Sequence, residues 1–418
     1  CVDTTWAATR LPSRRMALAR PHFPLLLLLA GCASTHRRPG AAPARPLAQL
    51  ASAEPVPAPS ASPAPSASPA TPAGFAALPG WSADNLDEVL PAWRRSCERL
   101  ARVPDNRPVG PNGLAGMAGD WKPACRASPA AGADVDSVRG YFERWFVPVL
   151  VVSEGSDRGL FTGYYEPELH GSRRRSRRFR VPLYRRPTDL VSADSSHGTG
   201  RRVRGRLRAY WTRAQIVAGA LRATSRPLLW VDDAIDAFFL EIQGSGRVVL
   251  EDGTVVQVNY DSSNGRPYVP LGRVLIERGA LERSAVSLQS IRAWLVAHPA
   301  VAQATMNQNP SHVFFHESTQ GATGAEGVVL TPGRSMAVDT RFIPLGAPLF
   351  LEIEALQGVG AIRRLVVAQD TGGAIRGAVR GDLFWGAGPE AYDRAGRMRQ
   401  HGRYWVLVPS AVAARVRW

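Results

Sequence analysis

The residues with the clearest chemical potential are two aspartates near the C-terminus, Asp370 and Asp382. They lie twelve positions apart in a glycine-rich stretch, VVAQDTGGAIRGAVRGDLFWG (366–386). Burial near side chains such as Phe384 and Trp385 raises the pKa of a carboxyl group, and a raised pKa lets a carboxylic acid donate a proton at neutral pH. The stretch alone is equally compatible with general acid chemistry and with a structural role. The alternative is a pair of turn aspartates that bond their own backbone, which is common beside glycine.

Familiar cofactor and nucleophile motifs do not fit the chain. Gly244-Ser245-Gly246 precedes a strand pattern rather than a helix, which excludes a dinucleotide-binding loop. Gly333-Arg334-Ser335 continues as Met336-Ala337 and fails the nucleophile-elbow pattern. His312 and His316 lie in a strand pattern that need not bring them to one metal ion. We therefore expect no metal and no cofactor. The carboxylates, amides, tyrosines and tryptophans are typical of a carbohydrate groove.

The charge balance is strongly basic, at +16, and Lys122 is the only lysine. Abundant arginine, alanine and proline indicate a GC-rich genome rather than nucleic-acid binding. The arginines of residues 173–180 lie in an otherwise polar segment, so they favour a solvated loop over a phosphate-binding patch. We expect no nucleic-acid partner, although an exported basic protein would be attracted to an anionic polymer.

The N-terminal part predicts export and anchoring. Met16 opens a segment with an arginine, a short leucine-rich run and Leu29-Ala30-Gly31-Cys32. The apolar run is too short to span a bilayer, which favours a signal peptide. Its ending resembles a bacterial lipobox, so we expect residues 1–31 to be upstream sequence and signal peptide, with Cys32 lipidated. An ordinary secretory peptide is the alternative. Residues 32–75, rich in Pro, Ala and Ser, predict a disordered tether.

Cys97 and Cys125 are the two remaining cysteines outside these processed regions. In an oxidising compartment two such cysteines predict one disulfide.

The rest of the chain predicts a mainly β fold with some helices. Apolar periodicity predicts helices from Leu86 to Leu100, with a kink or break at Pro91, and over 137–146 and 287–297. Asp252-Gly253 between two apolar runs predicts a β-hairpin. Residues 348–354, 363–369 and 403–409 predict strands. Strands and helices do not alternate regularly, which argues against a doubly wound parallel sheet.

Six blocks of the chain, taken in order, resemble the membrane-bound lytic murein transglycosylase A family, whose C-terminal part is a three-aspartate domain. The blocks are FTGYYEPEL (161–169), FFLEIQGSGRVVLEDG (238–253), NGRPY (264–268), NPSHVFF (309–315), LTPGRSMAVDTRFIPLGAPLF (330–350) and AQDTGGAIRGAVRGDLFWGAG (368–388).

The resemblance implies a double-psi β-barrel domain built from residues 76–166 and 312–418. It also implies a smaller β domain inserted at 167–311, with the substrate groove between the two. The single acid/base of the family corresponds to Asp382. The expected product is a 1,6-anhydromuramic acid end, formed when the bond between N-acetylmuramic acid and N-acetylglucosamine is cleaved without water.

The resemblance also implies supporting residues. Asp370 is expected either to assist Asp382 or to be structural, and Asp339 to be mainly structural. The residues expected to contact the saccharide are Thr162, Tyr164, Tyr165, Glu166, Gln243, Ser245 and Tyr268. Trp385 is assigned to neither groove nor barrel.

The expected partners are peptidoglycan glycan strands and, through Cys32, outer-membrane lipid. We expect a periplasm-facing monomer in a Gram-negative bacterium, and leave other wall-remodelling proteins open as partners. Two alternatives remain. One is a hydrolase on the same fold, with Asp370 acting as base toward water, and the other is a non-catalytic glycan-binding lipoprotein.

Overall fold

The computed structural model describes residues 71–113, 115–191 and 199–415. The predicted signal peptide, the lipidation site Cys32 and most of the tether lie outside these residues. The α-helices are α1 (Leu90–Ala101), α2 (Ala118–Arg126), α3 (Val135–Trp145), α4 (Arg213–Val217), α5 (Ala234–Gln243), α6 (Leu271–Glu277), α7 (Leu288–Ala297), α8 (Pro299–Met306), α9 (Pro389–Arg397) and α10 (Ser410–Ala413). Short 3-10 turns cover Phe75–Ala77, Trp81–Ala83, Leu86–Val89, Pro111–Gly113 and Arg283–Ala285.

The strands are β1 (Thr71–Pro72), β2 (Phe146–Leu150), β3 (Gly159–Glu166), β4 (Glu168–Ser172), β5 (Val181–Tyr184), β6 (Leu190–Val191), β7 (Gly200–Val203), β8 (Arg206–Ala209), β9 (Pro227–Val231), β10 (Ser245–Leu250), β11 (Val255–Ser263), β12 (Val313–Ser318), β13 (Ser335–Val338), β14 (Pro348–Leu356), β15 (Gly360–Asp370), β16 (Arg380–Ala387) and β17 (Arg399–Pro409). The mainly β fold with some helices is confirmed.

Six strands close into a barrel. The order β17-β14-β15-β13-β16-β3 returns to its start because β3 also pairs with β17. Two of the contacts are parallel, β13 with β15 and β16 with β3, and the others are antiparallel. β2 and β1 extend the sheet beyond β17. Closure leaves the six barrel strands without a free edge and fixes their register on both sides.

The barrel has a continuous apolar core that includes the N-terminal helices. Phe161, Met336, Leu383 and Tyr404 fill the interior, and Trp93 joins the same cluster from α1. A buried ion pair adds to this packing: Arg334, just before β13, contacts Asp84, which lies between two of the N-terminal 3-10 turns. The segment before β2 is therefore an integral part of the barrel unit.

A second sheet has its own core. Its order is β12-β11-β10-β4-β9-β5, and residues such as Leu229, Val248 and Val258 pack on one face. Helix α5 contributes Leu240 to this cluster and Phe238 to a neighbouring one. A separate three-stranded sheet has the order β6-β7-β8.

Several sequence predictions are confirmed. The hairpin falls between β10 and β11, where Gly253 takes a positive φ of 82° that glycine adopts without strain. The predicted helices at 137–146 and 287–297 correspond to α3 and α7, and the three C-terminal strands to β14, β15 and β17. Pro91 falls in the first turn of α1, where its missing N–H has no helical partner, so the break comes before the proline.

Other expectations differ from the structure. The tether was expected to reach residue 75, but Thr71–Pro72 already pairs with β2 because its backbone bonds that open edge. The expected boundary at 311/312 separates β12 from β11, the strand with which it pairs. Helices α2, α5, α6, α8 and α9, each of seven or more residues, lie outside the three segments that were predicted to be helical. Within the described residues, no helix is both long and apolar enough to cross a membrane.

Candidate active site

Asp382 lies on β16, on the outer face of the barrel wall. The alternation of a strand places the residues on either side of it toward the interior. A Cβ at Gly381 would lie 2.5 Å from the sulfur of Met336, and Leu383 is fully buried in the barrel core. In register, Asp382 is paired with Ala337 on β13 and with Thr162 on β3. The barrel wall therefore places Thr162 next to Asp382, although the two are far apart in the sequence.

The carboxyl of Asp382 is held by a short polar chain. The hydroxyl of Thr162 donates to its Oδ1 at 2.6 Å, and Nη2 of Arg380 donates to that hydroxyl oxygen at 2.8 Å. Burial raises the pKa of Asp382, and the charge of Arg380 and the Thr162 bond offset this only in part. The residue as a whole is partly exposed to solvent. Asp382 therefore combines a raised pKa with access for a ligand.

Asp370 closes β15 on the other side of β13. It is in register with Ala337, as Asp382 is, so the two aspartates lie two strands apart, or about 10 Å between their backbones. Its Oδ1 accepts from the N–H groups of Ala325 and Thr371 at 2.9 and 2.8 Å, and its Oδ2 from the Tyr164 hydroxyl at 2.9 Å. Burial raises the pKa of Asp370 to about 6, against these three hydrogen bonds.

Tyr164 links the carboxylate of Asp370 to a small cluster of apolar side chains. Its ring packs 5.2 Å from that of Phe384, in a cluster that also holds Ala337 and Ile375. Burial, and then the charge and hydrogen bond of Asp370, raise the pKa of Tyr164 well above its ordinary value. The hydroxyl is therefore a permanent donor.

Tyr268 reaches the same region from the segment after β11. Burial raises its pKa to about 12, and the charge of Asp382 contributes in the same direction while that of Arg213 opposes it. A Cβ at Gly373 would lie 3.5 Å from the Cβ of Tyr268. Thr162, Tyr164, Tyr268, Asp370 and Asp382 are thus the expected site residues that the fold brings together.

Two expected site residues lie elsewhere. Tyr165 faces the opposite side of β3 from Asp382, because neighbouring strand residues alternate, and its ring packs 5.4 Å from Tyr392 in the barrel core. Asp339 is buried and bonds Nη2 of Arg341 at 2.5 Å and the N–H of Gly377 at 2.8 Å. Burial would raise the pKa of Asp339, but these bonds lower it. Asp339 fixes the loop between β15 and β16.

Glu166, Gln243 and Ser245 lie where β3 meets the second sheet. Oε1 of Gln243 accepts from the backbone N–H of Tyr165 at 3.0 Å. Glu166 is buried and bonded to Nε2 of Gln257, and burial raises its pKa. Ser245 is buried in register with Asn259. Glu166 therefore links β3 to β11 of the second sheet, and Gln243 links the end of α5 to β3.

Two residues of the site were not anticipated. Arg380 shares the outer face of β16 with Asp382, two positions away, and that spacing was the available signal. Ala325 contributes only a backbone N–H, so its side chain carries no signal. Trp385, which the sequence left unassigned, is in the barrel core, with Nε1 3.4 Å from the sulfur of Met398.

Two further features concern the cysteines and metal binding. Cys97 and Cys125 form a disulfide, which links α1 to α2. In the described part of the chain, no group of three or more His, Cys, Asp or Glu side chains is arranged to hold a metal ion.

Comparison with known proteins identifies the family of the chain. Residues 160–316 match the MltA specific insert domain, and residues 334–408 match the 3D domain. Membrane-bound lytic murein transglycosylase A of Escherichia coli (strain K12) is 35% identical over 298 residues, which cover 68% of this chain and 75% of that protein. The chain belongs to the membrane-bound lytic murein transglycosylase A family. The resemblance found in the sequence is confirmed.

Solved structures of this family have the same fold. A membrane-bound lytic murein transglycosylase from Agrobacterium tumefaciens matches with a TM-score of 0.76 and 31% identity, covering 83% of this chain and 99% of that one. E. coli MltA with bound chitohexaose matches with a TM-score of 0.59 and 30% identity, covering 81% and 94%.

Proposed function

We propose that this lytic murein transglycosylase cleaves the β-1,4 bond between N-acetylmuramic acid and N-acetylglucosamine, with Asp382 as its single acid/base. The observation that supports this role is the setting of Asp382, a partly exposed residue whose carboxyl has a raised pKa and whose Oδ1 accepts a hydrogen bond from Thr162. Oδ2 has no protein hydrogen-bond donor within the described residues and is the atom suited to carry the proton.

The reaction needs one proton shuttle. Protonated Asp382 donates to the glycosidic oxygen as the bond from that oxygen to C1 of muramic acid breaks. The resulting carboxylate then accepts the proton of the muramic acid 6-hydroxyl as its oxygen bonds to C1. Asp382 ends protonated, no water is consumed, and a 1,6-anhydro ring is formed. Attack within one sugar has a high effective molarity, which can lower the barrier by several kcal/mol.

Asp370 is suited to positioning rather than to proton abstraction. Hydrolytic glycosidases use a second carboxylate that is free to act as a nucleophile or to activate a water molecule. The oxygens of Asp370 already accept three hydrogen bonds, from Ala325, Thr371 and Tyr164. This occupancy supports a role in fixing Tyr164 and the electrostatic setting of Asp382, and it argues against the hydrolase alternative.

We propose that the glycan strand lies along the face formed by Thr162, Tyr164, Tyr268 and the two aspartates. The half-buried Tyr268 would supply an aromatic surface for a sugar ring. The insert domain would then run from about 167 to the end of β12 at 318, since β12 pairs with β11. The bound chitohexaose of the E. coli relative supports glycan recognition by this family.

We further propose that lipidated Cys32 anchors a monomer to the outer membrane, with the described residues in the periplasm. The lipobox-like sequence Leu29-Ala30-Gly31-Cys32 supports the anchor, and the relatives are named membrane-bound.

Mass spectrometry of muropeptides released from purified sacculi tests the reaction. We expect products that are one water lighter than the hydrolytic ones, together with a loss of at least about a hundredfold in rate for D382N, as for a missing general acid. Sacculus binding should persist in D382N. The exposed Asp87 offers the matched control D87N, which should retain full activity.

Three results would separate the alternatives. Reducing sugar ends would indicate a hydrolase. Binding without turnover in the wild type would indicate a glycan-binding protein. Unchanged turnover in D382N would remove Asp382 from the mechanism.

A further inference from the structure

The loop of residues 321–330 lies between β12 and β13 and contacts the candidate site at Asp370. It is closed by a bridge between Thr323 and Val329 and by a bond from the N–H of Leu330 to the carbonyl of Ala322 at 2.8 Å. Two successive N–H groups of this loop bond the end of β15. That of Ala325 donates to Asp370 Oδ1, and that of Glu326 to the carbonyl of Gln369, both at 2.9 Å. The position of the loop therefore determines how Asp370 is held.

The side chain of Glu326 lies away from the site, in a buried polar cluster. The hydroxyl of Ser96, on α1, donates to Glu326 Oε2 at 2.7 Å. Nε2 of Gln369 donates to that same hydroxyl oxygen at 2.9 Å, and Oε1 of Gln369 accepts from Ser335 at 2.6 Å. Glu326, Gln369 and Ser335 are each at most 3% exposed. The cluster joins the helix, the loop and strands β13 and β15.

The residues next to Glu326 leave space for its carboxyl group. A Cβ at Gly346 would lie 2.9 Å from Glu326 Oε1, and Gly346 has a positive φ of 90°, so glycine is required there on both counts. A cavity of about 20 Å³ adjoins the cluster, with Trp93, Trp121 and Arg99 also in its lining. Such a volume holds about one water molecule.

We propose that Glu326 is a positioning residue for the reaction, and that its protonated form holds the 321–330 loop so that Asp370 keeps its productive place. Neutral Glu326 can remain in the cluster at no charge-burial cost, whereas an ionised carboxylate there must be compensated. The charged group facing it is Arg99 of α1, and the polar side chains facing it are Ser96 and Gln369. Burial raises the pKa of Glu326 to about 7, which puts the change of charge within the neutral range.

The pH profile of lytic activity for E326Q against wild type tests this inference. Glutamine keeps the size of the side chain and is never ionised. Glu326 should be about nine-tenths protonated at pH 6 and about nine-tenths ionised at pH 8. We expect the ratio of E326Q to wild-type rates to be near one at pH 6 and to approach tenfold at pH 8. The exposed Glu251 provides the control E251Q, for which the ratio should not change with pH.

A second variant keeps the test decisive if E326Q folds poorly. The Ser96 bond lowers the pKa of Glu326, so S96A should move the corresponding loss of activity to higher pH. A ratio for E326Q that is flat from pH 6 to 8 would overturn the proposal, as would an S96A profile that does not move.

The inference rests on the proposed function only through the assay and through the role of Asp370. An inactive D382N with a flat E326Q ratio would refute the loop mechanism alone. An active D382N would instead refute the assignment of the acid.

Discussion

Thr162, which is paired with Asp382, and Arg380, two positions away on β16, both act on the carboxyl of Asp382. The Thr162 hydroxyl donates to Oδ1, and the guanidinium of Arg380 lies behind that hydroxyl. Each favours the ionised carboxylate and so lowers a pKa that burial has raised. In the proposed mechanism Asp382 must be protonated at the start of each turnover, so these two residues would set the upper pH limit of activity.

Replacement of Thr162 with valine should therefore raise the pKa of Asp382 further. A hydrogen bond to a charged group is worth about 1.5 kcal/mol, which corresponds to roughly one pH unit. We expect the alkaline limb of the pH–rate profile for T162V to move up by about that amount.

The surface variant T188V, which loses only a bond to a backbone carbonyl, should leave the limb in place. A limb for T162V that stays fixed or moves to lower pH would contradict the assigned hydrogen bond.

At the scale of elements, β3 can lie where it does because Gly163 has no side chain. A Cβ there would come within 2.6 Å of Nε1 of Trp385 and 3.0 Å of the Cα of Ala395 in α9. The strand is thus clamped between β16 and α9, and Thr162 and Tyr164 on its outer face are placed by that contact.

G163A should force β3 outward and separate Thr162 from Asp382. We expect a loss of about 1–3 kcal/mol in the free energy of unfolding, typical of overpacking, together with lower lytic activity. Urea denaturation and muropeptide release would measure both.

The matched change G140A lies on an exposed face of α3 with no atom within 4 Å of the new Cβ. It should be neutral or slightly stabilising. Equal behaviour of the two variants would rule out the steric argument.

The helices that could be predicted from the sequence are those whose apolar residues recur with a clear helical period. Helix α7 shows one apolar stripe because one side packs and the other faces solvent. Helix α5 was missed because its apolar residues cover both faces, with Leu240 in one core and Phe238 in another. All-round burial leaves no period to detect.

The site was only partly predictable for a related reason. The local sequence indicated Asp370 and Asp382 as candidates. Their proximity depends on strand register, because each is paired with Ala337 on one side of β13. The inward orientation of Tyr165 and the link from Arg380 to Thr162 depend on the same register. Register is set by tertiary packing and is not visible in the local sequence.

At the scale of the whole molecule, the N-terminal segment is tied to the barrel by a buried ion cluster. Asp84 accepts from Arg334 through both oxygens, at 2.9 and 3.0 Å, and from the N–H of Leu365 at 2.7 Å. Loss of the Asp84 charge leaves the buried Arg334 with one carboxylate partner, the half-exposed Glu88 at 2.9 Å, so its charge is compensated less well. We expect D84N to lower the free energy of unfolding by roughly 3 kcal/mol.

Denaturant titration would measure this loss. The nearby exposed Asp87 has no comparable contacts, so D87N should stay within about 0.5 kcal/mol of the wild type. A D84N variant as stable as D87N would show that the cluster contributes specificity rather than stability.

The disulfide of Cys97 and Cys125 constrains the same N-terminal segment. The two residues are 28 positions apart, and a loop of that size restricts the unfolded chain by about 3–4 kcal/mol on the chain-entropy account. The free energy of unfolding of the double variant C97S/C125S should be lower than that of the oxidised wild type by a comparable amount. Reduction of the wild-type disulfide should produce the same loss. A reduced wild type as stable as the oxidised form would refute this expectation.

If the chain is exported as proposed, barrel closure also has a consequence for that passage. β3 is complete by residue 166, but its partners β16 and β17 end only at 387 and 409. During vectorial passage through a translocation pore, from the N-terminus onward, Thr162 would emerge more than two hundred residues ahead of Asp382. A partly exported chain would therefore be inactive. Wall degradation would begin only after nearly the whole polypeptide had crossed the membrane and the barrel had closed.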